Sequence, residues 1–132
     1  MDMSADMVDV RDIIARYEEL EDARLDFTAP IGAAEIWDRQ NPEDAAELVA
    51  LVAILDKLKG RGGDEQWRGG WYPVTLIADS HFTDYAREML EDCGTIPRDL
   101  PSWVEIDWNA TARNIRVDYS SIEIDGVTYW YR

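Results

Sequence analysis

Acidic side chains are threaded through this chain rather than gathered into a tail, and that interleaving limits the folds open to it. Twenty-eight Asp and Glu face 13 Lys and Arg in 132 residues, a formal net charge of −15. Unpaired carboxylates are almost never found in a core, so each must be turned to solvent by the element that carries it. Elements with one apolar and one polar face do this, and the apolar residues lie between the acids at the spacing such elements need. Hydrophobic content of 46%, with six Trp and six Tyr, supplies a real core and excludes a disordered acidic tail. The length suits one domain, with room for an appended helical segment. A small domain stays soluble with a net charge of magnitude about 2–8, so the surplus asks for a further role. A field this negative repels nucleic acid and anionic membrane and attracts proteins with basic grooves.

Other classes are disfavoured by what the chain lacks. No apolar run approaches the roughly 20 residues of a membrane span. The start, Met1 to Asp6, is acidic where a signal peptide is basic, so the expected location is the cytoplasm of a bacterial host cell. Cys93 is the single cysteine, which leaves no intrachain disulfide and no cysteine cluster for zinc.

The pattern along the chain predicts an α+β fold: an N-terminal acidic helical pair, then a small antiparallel sheet with helices and a C-terminal β-hairpin. Residues 5–26 read as an amphipathic helix with Ser4 as its cap and Met7, Val10, Ile13, Ile14, Tyr17, Leu20 and Leu25 as its apolar stripe. Ala33 to Arg39 allows one or two helical turns. Asn41-Pro42-Glu43-Asp44 is the clearest helix start, with Gly60 as its stop. Residues 60–70 hold five glycines and read as a linker or exposed loop between an acidic helical segment, 1–59, and an α+β module, 71–132; one compact domain overall is the alternative. Trp71 to Ala78 leans to β. Asp79-Ser80 caps a helix to about Cys93, Trp103 to Ile106 is a candidate strand, and Asp107 caps a helix from Trp108 to about Arg116. Asp125-Gly126 favours a two-residue type I′ turn, placing Ile124 opposite Val127 and Ile122 opposite Tyr129. A two-stranded ribbon is marginal alone, so a third strand is expected from 103–106 or 72–77.

Catalytic chemistry finds little footing. Ser80 and His81 are sequence neighbours at a helix start, which is not nucleophile–base geometry, and read as a cap and a surface residue. Cys93 reads as a small buried residue. Asp118, Glu123 and Asp125 lack the spacing of a calcium loop, so neither a metal nor any other cofactor is expected, and the chain reads as a non-enzyme. Most of the aromatics sit at core-like spacings, Trp103 among them. Trp67, in the glycine stretch, is the candidate exposed contact aromatic. The aromatics interleave with Asp and Glu rather than Lys and Arg, which argues against direct binding of nucleic acid.

Fixed carboxylates on helices can imitate DNA. One strand carries a charge per roughly 3.4 Å, and a 22-residue helix is about 33 Å long. Segment 5–26 holds eight acids, close to that density before its arginines are subtracted. Asp9, Asp12, Glu18, Glu19 and Asp22 are its candidate partner-binding residues. The plain alternative is that the acids only solubilise the protein.

Two stretches resemble a known family. Asp79-Ser-His-Phe-Thr-Asp-Tyr-Ala-Arg-Glu-Met-Leu-Glu-Asp-Cys-Gly94 is one. Ile106-Asp-Trp-Asn-Ala-Thr-Ala-Arg-Asn-Ile-Arg-Val-Asp-Tyr119, followed by Asp125-Gly-Val-Thr-Tyr-Trp-Tyr131, is the other. Both are similar to the ArdA-type antirestriction proteins of phages and plasmids, over about residues 71–132. The resemblance implies an acidic DNA mimic, often dimeric, that inhibits type I restriction–modification enzymes by occupying a basic DNA-binding groove. It also implies that Asp84, Glu88, Glu91, Asp92, Asp107, Asp118, Glu123 and Asp125 are the carboxylates that matter. The first half shows no such match, which leaves room for another target such as a CRISPR effector. A non-mimic acidic protein that caps a basic enzyme site through a local patch around Trp67 or Trp130 is the reading from a different class.

Overall fold

The computed structural model describes residues 5–97 and 99–132. The elements in chain order are β1 (Met7–Asp9), α1 (Val10–Asp26), α2 (Ala33–Gln40), α3 (Pro42–Leu58), β2 (Asp64–Trp67), β3 (Gly70–Tyr72), β4 (Thr75–Ala78), α4 (Asp79–Asp92), α5 (Trp108–Arg116), β5 (Ser120–Ile124) and β6 (Val127–Tyr131). This is an α+β protein, with its helical half N-terminal and a strand pair at its C-terminus. The chain divides into two compact units. One is Asp9–Val74; the other joins residues 5–8 to Thr75–Arg132.

In the first unit α1 packs on α3, and α2 packs on both. Val10, Ile13, Ile14 and Leu20 of α1, Trp37 of α2, and Leu51, Leu55 and Leu58 of α3 are buried. Pro42 sits at the first position of α3, as its fixed φ suits. Asn41 does not cap α3 with its side chain: its Nδ2 donates to the Trp37 carbonyl at 3.0 Å, closing α2 instead. Ala33–Gln40 is an eight-residue helix, about two turns, as the sequence allows there.

The glycine-rich stretch is not a linker. Asp64–Trp67 pairs antiparallel with Gly70–Tyr72 around Arg68-Gly69, whose φ values of 48° and 72° match a type I′ turn. The strand signal is hidden in the sequence because Asp64-Glu65-Gln66 are poor strand formers. What holds them is local: Gln66 Nε2 donates to the carbonyls of Tyr72 and Pro73 at 2.8 and 3.1 Å.

The second unit is a sheet of order β1-β4-β6-β5 against which α4 packs, with α5 on α4. The C-terminal hairpin has the register expected from its turn, Ile124 to Val127 through Ser120 to Tyr131. The third strand is β4, antiparallel to β6. Trp103–Ile106 is not a strand: Trp103 is 81% exposed and Val104 is exposed beside it. Ile77, Phe82, Ala86 and Ala112 form the core, with Tyr85, Ile115, Tyr119 and Trp130 packed around them.

Three more boundaries differ from the sequence reading, each for a tertiary reason. Residues 7–9 are strand rather than helix: the Ala78 N–H donates to the Asp6 carbonyl at 2.8 Å, and Val8 is buried while Met7 is exposed, the period of a strand. The helix therefore begins at Val10, capped by Asp9, whose carboxylate accepts from the Arg11 N–H at 2.9 Å. The expected cap at Ser4 lies outside the described residues. Asp79 and Ser80 are inside α4 rather than capping it, because the Asp79 carboxylate accepts from Trp130 Nε1 at 2.9 Å. Cys93, expected to be buried, is exposed.

Candidate functional site

The candidate carboxylates fall into free and engaged groups, and three of the free ones form a row on α4. Asp84, Glu88 and Asp92 stand four residues apart, so they form a row along one side of the helix, separated by about 6 Å and spanning about 12 Å. All three are exposed, on the side away from the buried Phe82 and Ala86. None makes an ion pair among the described residues. Glu91 borders the row, and its carboxylate is held by Arg87 Nε at 3.0 Å; the Arg87 guanidinium also lies 5.5 Å from the centre of the Trp108 ring. The last turn of α4 contains no basic residue. Carboxylates there stand at the negative end of the helix dipole, where a cation is the stabilising choice by about 0.3–1 kcal/mol. A hollow of about 380 Å³ is lined by Glu91, Asp92, Ile96 and Pro97 beyond that end.

On α1 the acids are largely used internally. Asp9 is clamped by the Arg11 guanidinium at 2.8 Å, which holds its carboxyl below the usual range. Arg16 is a hub: it meets Glu47 at 2.9 Å, Glu19 at 3.0 Å and Asp44 at 3.6 Å. Its two parallel bonds to Glu47 bring that carboxyl down to about 2. Arg24 forks onto Asp38 in the same way. Glu18 accepts from Trp67 Nε1 at 2.6 Å. Asp12 and Asp22 are exposed and form no ion pair among the described residues. One cause accounts for the pattern: an arginine fork matches a carboxylate's two oxygens, and α1 and the residues facing it contain Arg11, Arg16, Arg24 and Arg68.

Trp67 is not the exposed contact aromatic it was expected to be. It is half-buried, edge-on to Tyr17 with ring centres 5.1 Å apart, and covered by the Arg68 guanidinium at 4.2 Å. Arg68 in turn meets Glu21 at 2.8 Å, and the Tyr17 hydroxyl and Arg68 together lower the Glu21 carboxyl. Trp130 is half-buried too, its N–H given to Asp79. The aromatics that do reach solvent are Trp103 and, less fully, Trp71. The sequence signal for Trp103 was its position in the stretch between α4 and α5, which contains Pro97 and Pro101 and no regular element.

The remaining carboxylates are dispersed. Asp107 caps α5, accepting from the Ala110 N–H at 3.0 Å. Asp118 follows α5, Glu123 is exposed on the edge strand β5, and Asp125 forms the hairpin turn with φ 51°. Among the described residues no group of three His, Cys, Asp or Glu is placed to hold a metal ion. His81, half-buried, has its Nδ1 4.0 Å from Asp6. No helix among the described residues is long and apolar enough to cross a membrane. No family model, no curated protein and no solved structure matches this chain.

Proposed function

We propose that the protein inhibits a bacterial host-defence nuclease by presenting a DNA-like row of carboxylates to the basic groove in which that nuclease binds DNA. The observation that carries this reading is the α4 row of Asp84, Glu88 and Asp92. Those three, with Glu91, put four acids in about 12 Å of helix, close to the phosphate density of one DNA strand before Arg87, which holds Glu91, is subtracted. They are exposed, and two of them lie in a last turn where they oppose the helix dipole. Residues that break a local rule of stability without an evident gain in the fold are expected at functional sites. The helix also fixes the charges in position, so less freedom is lost on binding than by a floppy acidic tail. Inhibition of this kind needs no catalysis and no cofactor.

The resemblance of residues 71–132 to ArdA-type antirestriction proteins makes a type I restriction–modification enzyme the first target, and a CRISPR effector complex the second. The test is cleavage of unmodified duplex DNA by a purified type I enzyme, then by a CRISPR effector, with the protein added. Inhibition should weaken as DNA or salt is raised. The triple variant Asp84→Lys, Glu88→Lys, Asp92→Lys should need at least tenfold more protein for the same inhibition, with unchanged circular dichroism. Unchanged potency of that variant sinks the mimic reading. Trp103 favours the second reading, a cap on a basic enzyme site made by a local patch, because exposed Trp residues are frequent anchors of such patches. In that case Trp103→Ala abolishes inhibition, and DNA does not compete.

A further inference from the structure

The acidic surface leaves one region of the first unit unexplained, the outer side of α3. This helix is apolar nearly all round: Pro42-Glu-Asp-Ala-Ala-Glu-Leu-Val-Ala-Leu-Val-Ala-Ile-Leu-Asp-Lys-Leu58. Leu51, Leu55 and Leu58 face the core. A helix that stays apolar on its other sides is one expected to be covered. Here that side is open: Val49 is 67% exposed. It borders a groove of about 460 Å³ lined by Tyr17, Leu48, Val52 and the Arg24–Asp38 ion pair.

The charges at the two ends of this face differ in sign. At the N-terminal end stands Glu43, exposed, while Asp44 turns to Arg16 of α1. At the C-terminal end stand Lys57 and Lys59, followed by Arg61. These three cations are exposed, and none forms an ion pair among the described residues. In a chain of net charge −15, with Arg16, Arg24 and Arg68 all on carboxylates, three unused cations close together are conspicuous. Glu43, Ala46, Ala50, Ala53 and Lys57 follow one another at intervals of three and four residues, the repeat that forms a helix–helix seam.

We propose that α3 is a self-association surface, packed antiparallel against α3 of a second copy about a two-fold axis near Ala50. Glu43 and Lys57 are each seven residues from Ala50, so this arrangement sets Glu43 beside the partner's Lys57, and does so twice. The alanines allow the helices to approach near the short end of the usual 8–10 Å range, and Val49 is drawn out of water. A parallel pairing sets acid against acid and base against base. One helix against one helix is a small interface, below the roughly 1,200 Å² of stable complexes, so the dimer forms at tens of micromolar and above. The inference does not depend on the mimic reading.

Sedimentation velocity of the purified full-length protein from 5 to 500 µM at about 150 mM salt tests it. A concentration-dependent dimer is expected. Ala50→Glu, at an exposed helical position that tolerates glutamate, should weaken it at least tenfold with an unchanged melting curve. Lys57→Glu alone should weaken it, and Lys57→Glu combined with Glu43→Lys should restore it. A monomer throughout the range, or a dimer indifferent to Ala50→Glu, overturns the proposal. A dimer weakened by Ala50→Glu but not rescued by the charge swap overturns the antiparallel geometry.

Discussion

At the scale of single residues, arginine decides which carboxylates remain available. Arg16 takes Glu47 with both of its parallel donors, and an exchange of Glu47 removes that fork and leaves Arg16 only Glu19 and the more distant Asp44. Glu47→Gln is expected to lower stability at pH 7 by about 1 kcal/mol, a partly exposed charge-assisted pair being worth less than a buried one. The pH dependence has a definite sign. Folding depresses the Glu47 carboxyl from its ordinary 4.5 to about 2. The pair's contribution is therefore complete above about pH 4.5 and is lost as pH falls toward 2. Urea denaturation of wild type and variant should show curves that separate at pH 7 and converge near pH 2; a gap that persists at pH 2 rules out the linkage. The engaged state of Trp67 has the same origin: Tyr17, Arg68 and Glu18 surround it, and all three lie far from it or beside it in ways a one-dimensional pattern does not rank.

At the scale of elements, the two hairpins make a contrast. The C-terminal one was legible because Asp-Gly sits between strands of alternating β-formers. The β2–β3 hairpin was not, because its first strand is Asp-Glu-Gln-Trp and its turn is Arg-Gly. Its geometry depends on Gly63, where φ is +72° and a Cβ would lie 1.8 Å from the Tyr72 carbonyl oxygen. Gly63→Ala is expected to destabilise by about 2–4 kcal/mol, from the left-handed backbone and the clash together. At Gly69, also of positive φ, a Cβ meets nothing within 4 Å, so Gly69→Ala should cost only about 1–2 kcal/mol. Denaturant titration of the two variants checks the order; equal losses would show that the approach to Tyr72 does not matter. The helices were legible in existence and type; α3 and α5 begin where their signals place them, at Pro42 and Trp108, and the starts of α1 and α4 were not legible. β1 depends on the bond from Ala78 to Asp6, and the shifted start of α4 on Trp130, partners remote in sequence from one another; α1 starts where β1 ends.

At the scale of the whole molecule, the excess charge is a stability burden as well as a candidate tool. Residues 9–74 and residues 75–132 both carry more acids than bases, so repulsion acts within each unit. Like-charge repulsion favours expanded states, and salt screens it over about 10 Å at 0.1 M. The melting temperature is expected to rise by several degrees between 10 and 500 mM sodium chloride. Calorimetry in the two buffers decides this, and a falling melting temperature would mean that the arginine forks outweigh the repulsion. Partner binding through the α4 row should move the other way, weakening with salt. That opposition separates a loss of inhibition from a loss of folding.

The amino-acid sequence by itself determined the α+β class, the existence of the helices α1, α3, α4 and α5, the register of the C-terminal hairpin and the acidic character of the surface. These follow from local periodicity, caps and turn chemistry, which act over a few residues. Only the tertiary structure decided which carboxylates are free. Among the described residues no basic side chain pairs with Asp84, Glu88 or Asp92, whereas Glu18, Glu19 and Glu47 are taken by Trp67 and Arg16. It also decided that Trp103 rather than Trp67 meets solvent. Pairing across distant stretches of chain depends on three-dimensional proximity, and a carboxylate's neighbours in space are not its neighbours in sequence.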